Sequence, residues 1–136
     1  MADAFPVSTP MLEDDRQRWT ETATPLLDPS GKKRYQAAVG SILYIMHATR
    51  PDIAYTIIWL SQYAFCLRTI HWEGIKRLLR YLKGTRDYAL TLGNVKANTG
   101  SGSTELLGYF DAAHMDNGNK RSTCSYLFLL QSSPIS

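Results

Sequence analysis

The sequence predicts an α+β protein, a three-helix unit followed by an incomplete antiparallel sheet, and three observations carry that reading. Apolar residues recur at three- and four-residue spacing from Tyr35 to Leu82, which is the period of a helix. From Leu106 onward they alternate or run on over short stretches, as they do in strands. Between the two patterns lies GNVKANTGSGST, residues 93 to 104, polar and rich in Gly, Ser and Asn, which marks a boundary. The organisation is therefore a lead-in (1–31), a helical region (32–92), a linker (93–104) and a sheet fragment (105–136).

The lead-in holds Pro6, Pro10, Pro25 and Pro29 with acidic clusters, so it is expected to be extended or disordered. Tyr35, Val39, Ile42, Leu43 and Met46 then share one face of a helix from Lys33 to about His47. Gly40 costs that helix about 1 kcal/mol relative to Ala, and a close helix contact is the expected reason for it. Thr49-Arg50-Pro51-Asp52 reads as a break and restart, because Pro51 suits a first helical turn and pushes Arg50 toward extended backbone. The second helix, Pro51 to about Tyr63, is apolar almost all round and should sit between other elements. Ile75, Leu78, Leu79 and Leu82 stripe a third helix, Ile70 to Lys83, with Gly84 placed to cap it. Tyr88 to Leu92 is a short strand candidate. Leu106 to Phe110 and Ser122 to Leu130 are two further strands, joined through Asp111 to Arg121, and two strands without a covering helix are marginal in water.

Charge is distributed unevenly over the 136 residues. The net +3 combines six acids and two bases in residues 1–31, ten bases and two acids in 32–86, and three bases and four acids in 87–136. The first residues lack the basic start and apolar run of a secretory signal, and no apolar stretch is long enough for a membrane span. Cys66 and Cys124 stand far apart with no metal-type spacing and read as free, buried thiols of a reducing compartment, cytoplasmic or nuclear.

The third helix carries the clearest functional signal. Lys76, Arg80 and Lys83 lie at i, i+4 and i+7 beside the apolar stripe, flanked by Arg77 and Arg86. Such a ridge can neutralise phosphates along a nucleic-acid backbone without reading sequence. A solvated face is the commoner meaning of a basic helix surface. His71 and Trp72 could stack on a base, although an aromatic at Trp72 is more often core. His47, His71 and His114 share no ligand spacing, and no nucleotide-binding glycine motif or nucleophile elbow is present. Asp111, expected to close its strand, would be held where a carboxylate can meet a metal ion, but a single carboxylate does not make a two-ion site and more often opens a turn.

Several stretches carry a family resemblance. Tyr35-Gln36-Ala37-Ala38-Val39-Gly40-Ser41-Ile42-Leu43-Tyr44, Thr49-Arg50-Pro51-Asp52-Ile53-Ala54, Leu60-Ser61, His71-Trp72 and Lys76-Arg77-Leu78-Leu79-Arg80-Tyr81-Leu82-Lys83-Gly84-Thr85 closely resemble the pol polyprotein of copia-type retrotransposons. Pro6-Val7-Ser8-Thr9-Pro10 resembles the stretch after that family's polymerase palm. Leu107-Gly108-Tyr109-Phe110-Asp111-Ala112 and Arg121-Ser122-Thr123 to Tyr126 resemble the opening of its ribonuclease H domain.

The resemblance implies that the helical region is the reverse-transcriptase thumb and connection, that residues 105–136 begin a ribonuclease H-like sheet, and that the basic ridge lies along duplex nucleic acid. It implies that Asp111 is the first of four carboxylates that hold Mg²⁺ in the family, with the other three beyond Ser136 and the polymerase aspartates upstream of residue 1. Ala113-His114 stands where the family has Asp-Trp, Leu67 where it has Pro and Ser125 where it has Gly. These departures suit a relic or domesticated fragment better than an active element. The expectation is a retroelement polyprotein fragment, inactive and without a cofactor when alone, that binds an RNA/DNA hybrid or duplex through Lys76, Arg77, Arg80, Lys83 and Arg86. Alternatives are a protein-interaction module that self-associates through exposed apolar helix surface, and an excerpt of an active RNA-directed DNA polymerase/ribonuclease H polyprotein.

Overall fold

Helices fill the first part of the chain and strands the last. The computed structural model describes residues 4–89, 106–113, 122–130 and 133–134, and the chain divides into two units, Met1–Ala89 and Leu90–Ser136. Among the described residues, the first unit holds α1 (Asp15–Thr20), α2 (Pro29–Ala48), α3 (Ala54–Ser61) and α4 (Thr69–Gly84). The second holds β1 (Leu106–Ala113), β2 (Thr123–Leu130) and β3 (Ser133–Pro134). The expected linker, residues 93–104, lies outside the described residues, as do residues 90–92; Tyr88 and Ala89 form no strand.

α2 starts earlier than Lys33, inside the segment assigned to the lead-in. The Asp28 carboxylate accepts the Gly31 N–H at 3.1 Å, and Pro29 occupies the first turn, where a missing N–H costs nothing. Tyr35, Val39, Ile42 and Met46 are buried along one face of α2, as their spacing predicts. The Tyr35 hydroxyl donates to the Leu60 carbonyl at 2.7 Å and ties α2 to α3, and burial pushes its phenol pKa well above the ordinary value. A single 3-10 turn, Pro51–Ile53, separates α2 from α3, so the restart at Pro51 is real but its first turn is tighter than α. Ile57, Trp59 and Leu60 bury α3 against its neighbours, each apolar side chain contributing about 1.5–3 kcal/mol. Tyr55 and Ile58 are exposed, however, so one face of α3 is open rather than enclosed.

The described part of the lead-in, residues 4–31, is ordered, against expectation. Trp19 of α1 is only 2% exposed and belongs to the core, with Val7, Met11 and Leu27 packed beside it. Backbone bonds from Leu27 N–H to Leu67 C=O and from Thr69 N–H to Pro25 C=O, both 3.0 Å, fasten residues 25–27 to the start of α4. Proline and acid content argued against regular structure, but one buried Trp and a few aliphatic side chains supply enough apolar surface to order the segment.

The close helix contact expected at Gly40 is found at Gly74 instead. A Cβ at Gly40 would meet nothing within 4 Å, so no close helix contact explains it. At Gly74 a Cβ would lie 2.8 Å from Leu60 Cδ2 and 3.0 Å from Trp19 Cζ2, so this is where α4 needs a bare backbone.

In the second unit the three strands form an antiparallel meander in the order β1-β2-β3. Asp111 pairs with Ser125 and Ala113 with Thr123, so β1 runs past the expected end at Phe110 and Asp111 sits inside it. The register places Leu106, Phe110, Tyr126, Phe128 and Leu130 on one face and Leu107, Tyr109, Asp111, Leu127 and Leu129 on the other. Nearly all of these side chains are exposed, Phe110 by 79% and Tyr126 by 65%. Cys66 and Cys124 are both free, as predicted, but exposed rather than buried: Cys66 follows the end of α3 in an open connection and Cys124 lies on the uncovered sheet. Among the described residues no helix is long and apolar enough to cross a membrane.

Candidate nucleic-acid interface

α4 separates apolar and basic side chains around its axis. Ile70, His71, Gly74, Ile75, Leu78 and Tyr81 are buried, while Lys76 and Lys83 are exposed and Arg77 and Arg80 half-buried. Arg86 is exposed just beyond the helix end. Lys76, Arg80, Lys83 and Arg86 thus lie away from the core, while Arg77 borders Trp19 and Ile70 with its Nε buried; four of the five fall within less than two turns of one helix.

Three of them are engaged by the lead-in. Arg77 Nη2 donates to Thr9 Oγ1 at 2.8 Å, Arg80 Nε to the Phe5 carbonyl at 2.7 Å and Lys83 Nζ to the Ala4 carbonyl at 3.1 Å. Residue numbers fall along the segment as they rise along α4, so the two run antiparallel. Gly84 serves as the seat of Pro6, since a Cβ there would lie 2.8 Å from Pro6 Cβ. Gly84 therefore is not the helix cap: Thr85 holds that position with φ −120°, its N–H and hydroxyl both donating to the Tyr81 carbonyl at 3.0 and 2.8 Å.

His71 and Trp72 belong to the body of the unit rather than to a base-stacking surface. His71 is 1% exposed. Its Nδ1 accepts the Arg68 N–H at 3.1 Å, Nε2 lies 3.0 Å from the Trp19 carbonyl, and its ring stacks on Tyr63 at 4.1 Å. Burial, reinforced by the nearby Arg68 charge, lowers its pKa and keeps it neutral, with the proton on Nε2. Trp72 is half-buried and tilts against Tyr35.

The T-R-P-D stretch carries a polar cluster that reading it as a helix break did not anticipate. Arg50 Nε and Nη2 donate to the two Asp52 carboxylate oxygens at 2.9 and 2.7 Å. Nη1 and Nη2 also reach the carbonyl and hydroxyl of Thr85, and Tyr81 donates to Asp52 at 2.9 Å. The Arg50 hydrogen bonds and charge hold the Asp52 carboxyl below its usual range, and Tyr81 adds to this. The signal was an Arg and an Asp on either side of a proline, close enough to pair once the turn forms. The cluster fixes the C-terminal end of α4, the end that carries Lys83 and Arg86.

Asp111 is exposed on the face of the sheet it shares with Tyr109, Ser125 and Leu127. Among the described residues, no group of three or more His, Cys, Asp or Glu could hold a metal ion. A site for phosphoryl transfer needs several carboxylates. The described residues around Asp111 supply one carboxylate and a neighbouring hydroxyl, which by themselves make no two-ion site.

Aligned with known proteins, the whole chain is 36% identical over 140 residues to the Retrovirus-related Pol polyprotein from transposon TNT 1-94 of Nicotiana tabacum and 39% identical over 137 residues to that from transposon RE2 of Arabidopsis thaliana. The chain belongs to the copia-type Pol polyprotein family. It spans about a tenth of the length of those Pol polyproteins. Three quarters of the chain is also 42% identical over 103 residues to Secreted RxLR effector protein 161 of Plasmopara viticola, of which the match covers 68%. No protein-family model matches this Pol-related chain, and no solved structure matches it.

Proposed function

We propose that residues 32–92 are the thumb and connection region of a copia-type Pol polyprotein, that residues 105–136 open its ribonuclease H-like sheet, and that the outer face of α4 binds duplex nucleic acid or an RNA/DNA hybrid through the phosphate backbone. The observation that carries this reading is the separation on α4 of a buried, mainly apolar stripe from Lys76, Arg77, Arg80 and Lys83, with Arg86 just past its end. Cations held on a rigid element at one-turn spacing match phosphates and select no base. The antiparallel strands with Asp111 on β1 support the sheet assignment together with the Pol relatives.

A salt titration of hybrid binding tests it. Each phosphate neutralised contributes a slope of about −0.9 in log affinity against log salt for duplex DNA, so five cations predict a steep decline. Reversal of Lys76, Arg77, Arg80, Lys83 and Arg86 to Glu should abolish binding, and undiminished binding would overturn the reading. The chain by itself is proposed to be inactive, because Asp111 is the only carboxylate among the described residues of the second unit. Incubation with Mg²⁺ or Mn²⁺ and an RNA/DNA hybrid should give no cleavage above an Asp111→Asn control.

A second reading rests on exposed apolar surface. Tyr44 on α2, Tyr55 and Ile58 on α3 and both faces of the sheet lie open, which favours a protein-interaction or self-association role. Sedimentation as a concentration-independent monomer would sink it.

A further inference from the structure

We infer that the segment Ala4–Thr9 is a displaceable cover over the basic ridge, competing with nucleic-acid phosphates for Arg77, Arg80 and Lys83; the inference rests on the nucleic-acid reading of α4. The segment lies antiparallel along α4 and gives each of these side chains an oxygen acceptor: the Thr9 hydroxyl, the Phe5 carbonyl and the Ala4 carbonyl, at 2.7–3.1 Å. The same donors are those a phosphate backbone would need. All three bonds are exposed, and their acceptors are neutral. Phosphate oxygens are charged and make stronger, shorter bonds to guanidinium and ammonium groups, so exchanging one acceptor for the other is favourable.

The segment is also built to leave. It forms neither helix nor strand, and Pro6 and Pro10 lack the N–H needed to join one. Its position is set by Pro6 on the bare backbone of Gly84 and by Val7 at the edge of the core. An element held by exposed hydrogen bonds and one partly buried aliphatic side chain belongs to the low-stability end of a structure. Lys76 and Arg86 are exposed and make no hydrogen bond to the segment among the described residues, so a duplex has two cations to meet before the cover moves.

Binding of a fluorescein-labelled RNA/DNA hybrid is measured for three full-length proteins and one deletion. Gly84→Ala places a methyl where Pro6 rests and unseats the cover without touching a cation. Deletion of residues 1–6 removes Pro6 and the Ala4 and Phe5 carbonyls that hold Lys83 and Arg80, while keeping Val7 and Thr9. Both should bind the hybrid about tenfold more tightly than the parent at equal salt, as expected when two or three hydrogen bonds of modest net value no longer compete. The ridge reversed to Glu is the third full-length protein and should not bind. If Gly84→Ala and the deletion match the parent while the reversed ridge fails to bind, the cover is overturned and the nucleic-acid surface stands. If the parent, Gly84→Ala and the deletion all fail to bind at low salt, or the reversed ridge binds like the parent, the nucleic-acid reading falls and the cover with it.

Discussion

Arg50 holds Thr85 at two points, its guanidinium donating to the Thr85 carbonyl at 2.9 Å and to the hydroxyl at 2.7 Å, across thirty-five positions of sequence. The turn after α2 is thereby locked to the cap of α4, and Asp52 neutralises the arginine that does it. With its side chain 8% exposed, Arg50 cannot be removed without leaving Asp52 and the Thr85 carbonyl short of partners.

Arg50→Ala should therefore destabilise the first unit by about 1–3 kcal/mol, since the Thr85 carbonyl loses a buried donor while the partly exposed Asp52 keeps Tyr81 and water. Arg50→Lys should recover little, because an ammonium cannot serve Asp52 in bidentate fashion and reach Thr85 as well. Urea unfolding followed by tryptophan fluorescence measures both.

Stability should fall with acid in two stages. His71 is kept neutral by burial, so as pH drops below its ordinary value of 6.5 the unfolded chain takes up the proton first, and stability present above that pH is lost. Asp52 is kept ionised by Arg50, so its contribution persists to lower pH and is lost only as pH falls from its ordinary 3.8 through its lowered folded value. In His71→Gln the first stage should vanish and the second remain, as read from melting temperature against pH.

The two helical glycines should respond to alanine in opposite directions. Gly74→Ala forces a methyl against Leu60 and Trp19 and should cost about 1–3 kcal/mol. Gly40→Ala enters open space on the exposed side of α2 and should stabilise by up to about 1 kcal/mol. Denaturant midpoints of the two variants decide this.

Both thiols should react with a disulfide reagent in the native protein at rates close to those in urea, since Cys66 and Cys124 are exposed. Slow reaction of either in the absence of denaturant would contradict its placement.

The parts legible in the sequence are those set by local period. Tyr35, Val39, Ile42 and Met46 announced the buried face of α2, Ile75 and Leu78 that of α4, and the basic residues fell on the remaining surface because a helix leaves them no other. Residues whose role depends on a distant neighbour were not legible. Gly74 matters because Leu60 and Trp19 arrive there, and Gly84 because Pro6 does. α1 is six residues long between prolines, too short for a periodic signal, and only the burial of Trp19 reveals it. The start of α2 was readable from Asp28-Pro29, a cap and first-turn pair hidden among prolines taken as breakers. Asp111 was found by its strand, but its position inside β1 depended on a pairing with Ser125 that local pattern does not set.

That pairing gives Asp111 a role in solubility. β1 and β2 together hold one charged side chain, and it is Asp111; β2, Thr123–Leu130, has no charge, proline or glycine at all. Uncharged, uninterrupted apolar strands are the segments that stack into cross-β aggregates, and a lone carboxylate acts as a gatekeeper against it. Asp111→Asn, chosen to test catalysis, also removes that gatekeeper. A loss of signal in that variant reports on chemistry only if the protein is still in solution, and Asp111→Glu, which keeps the charge, separates the two.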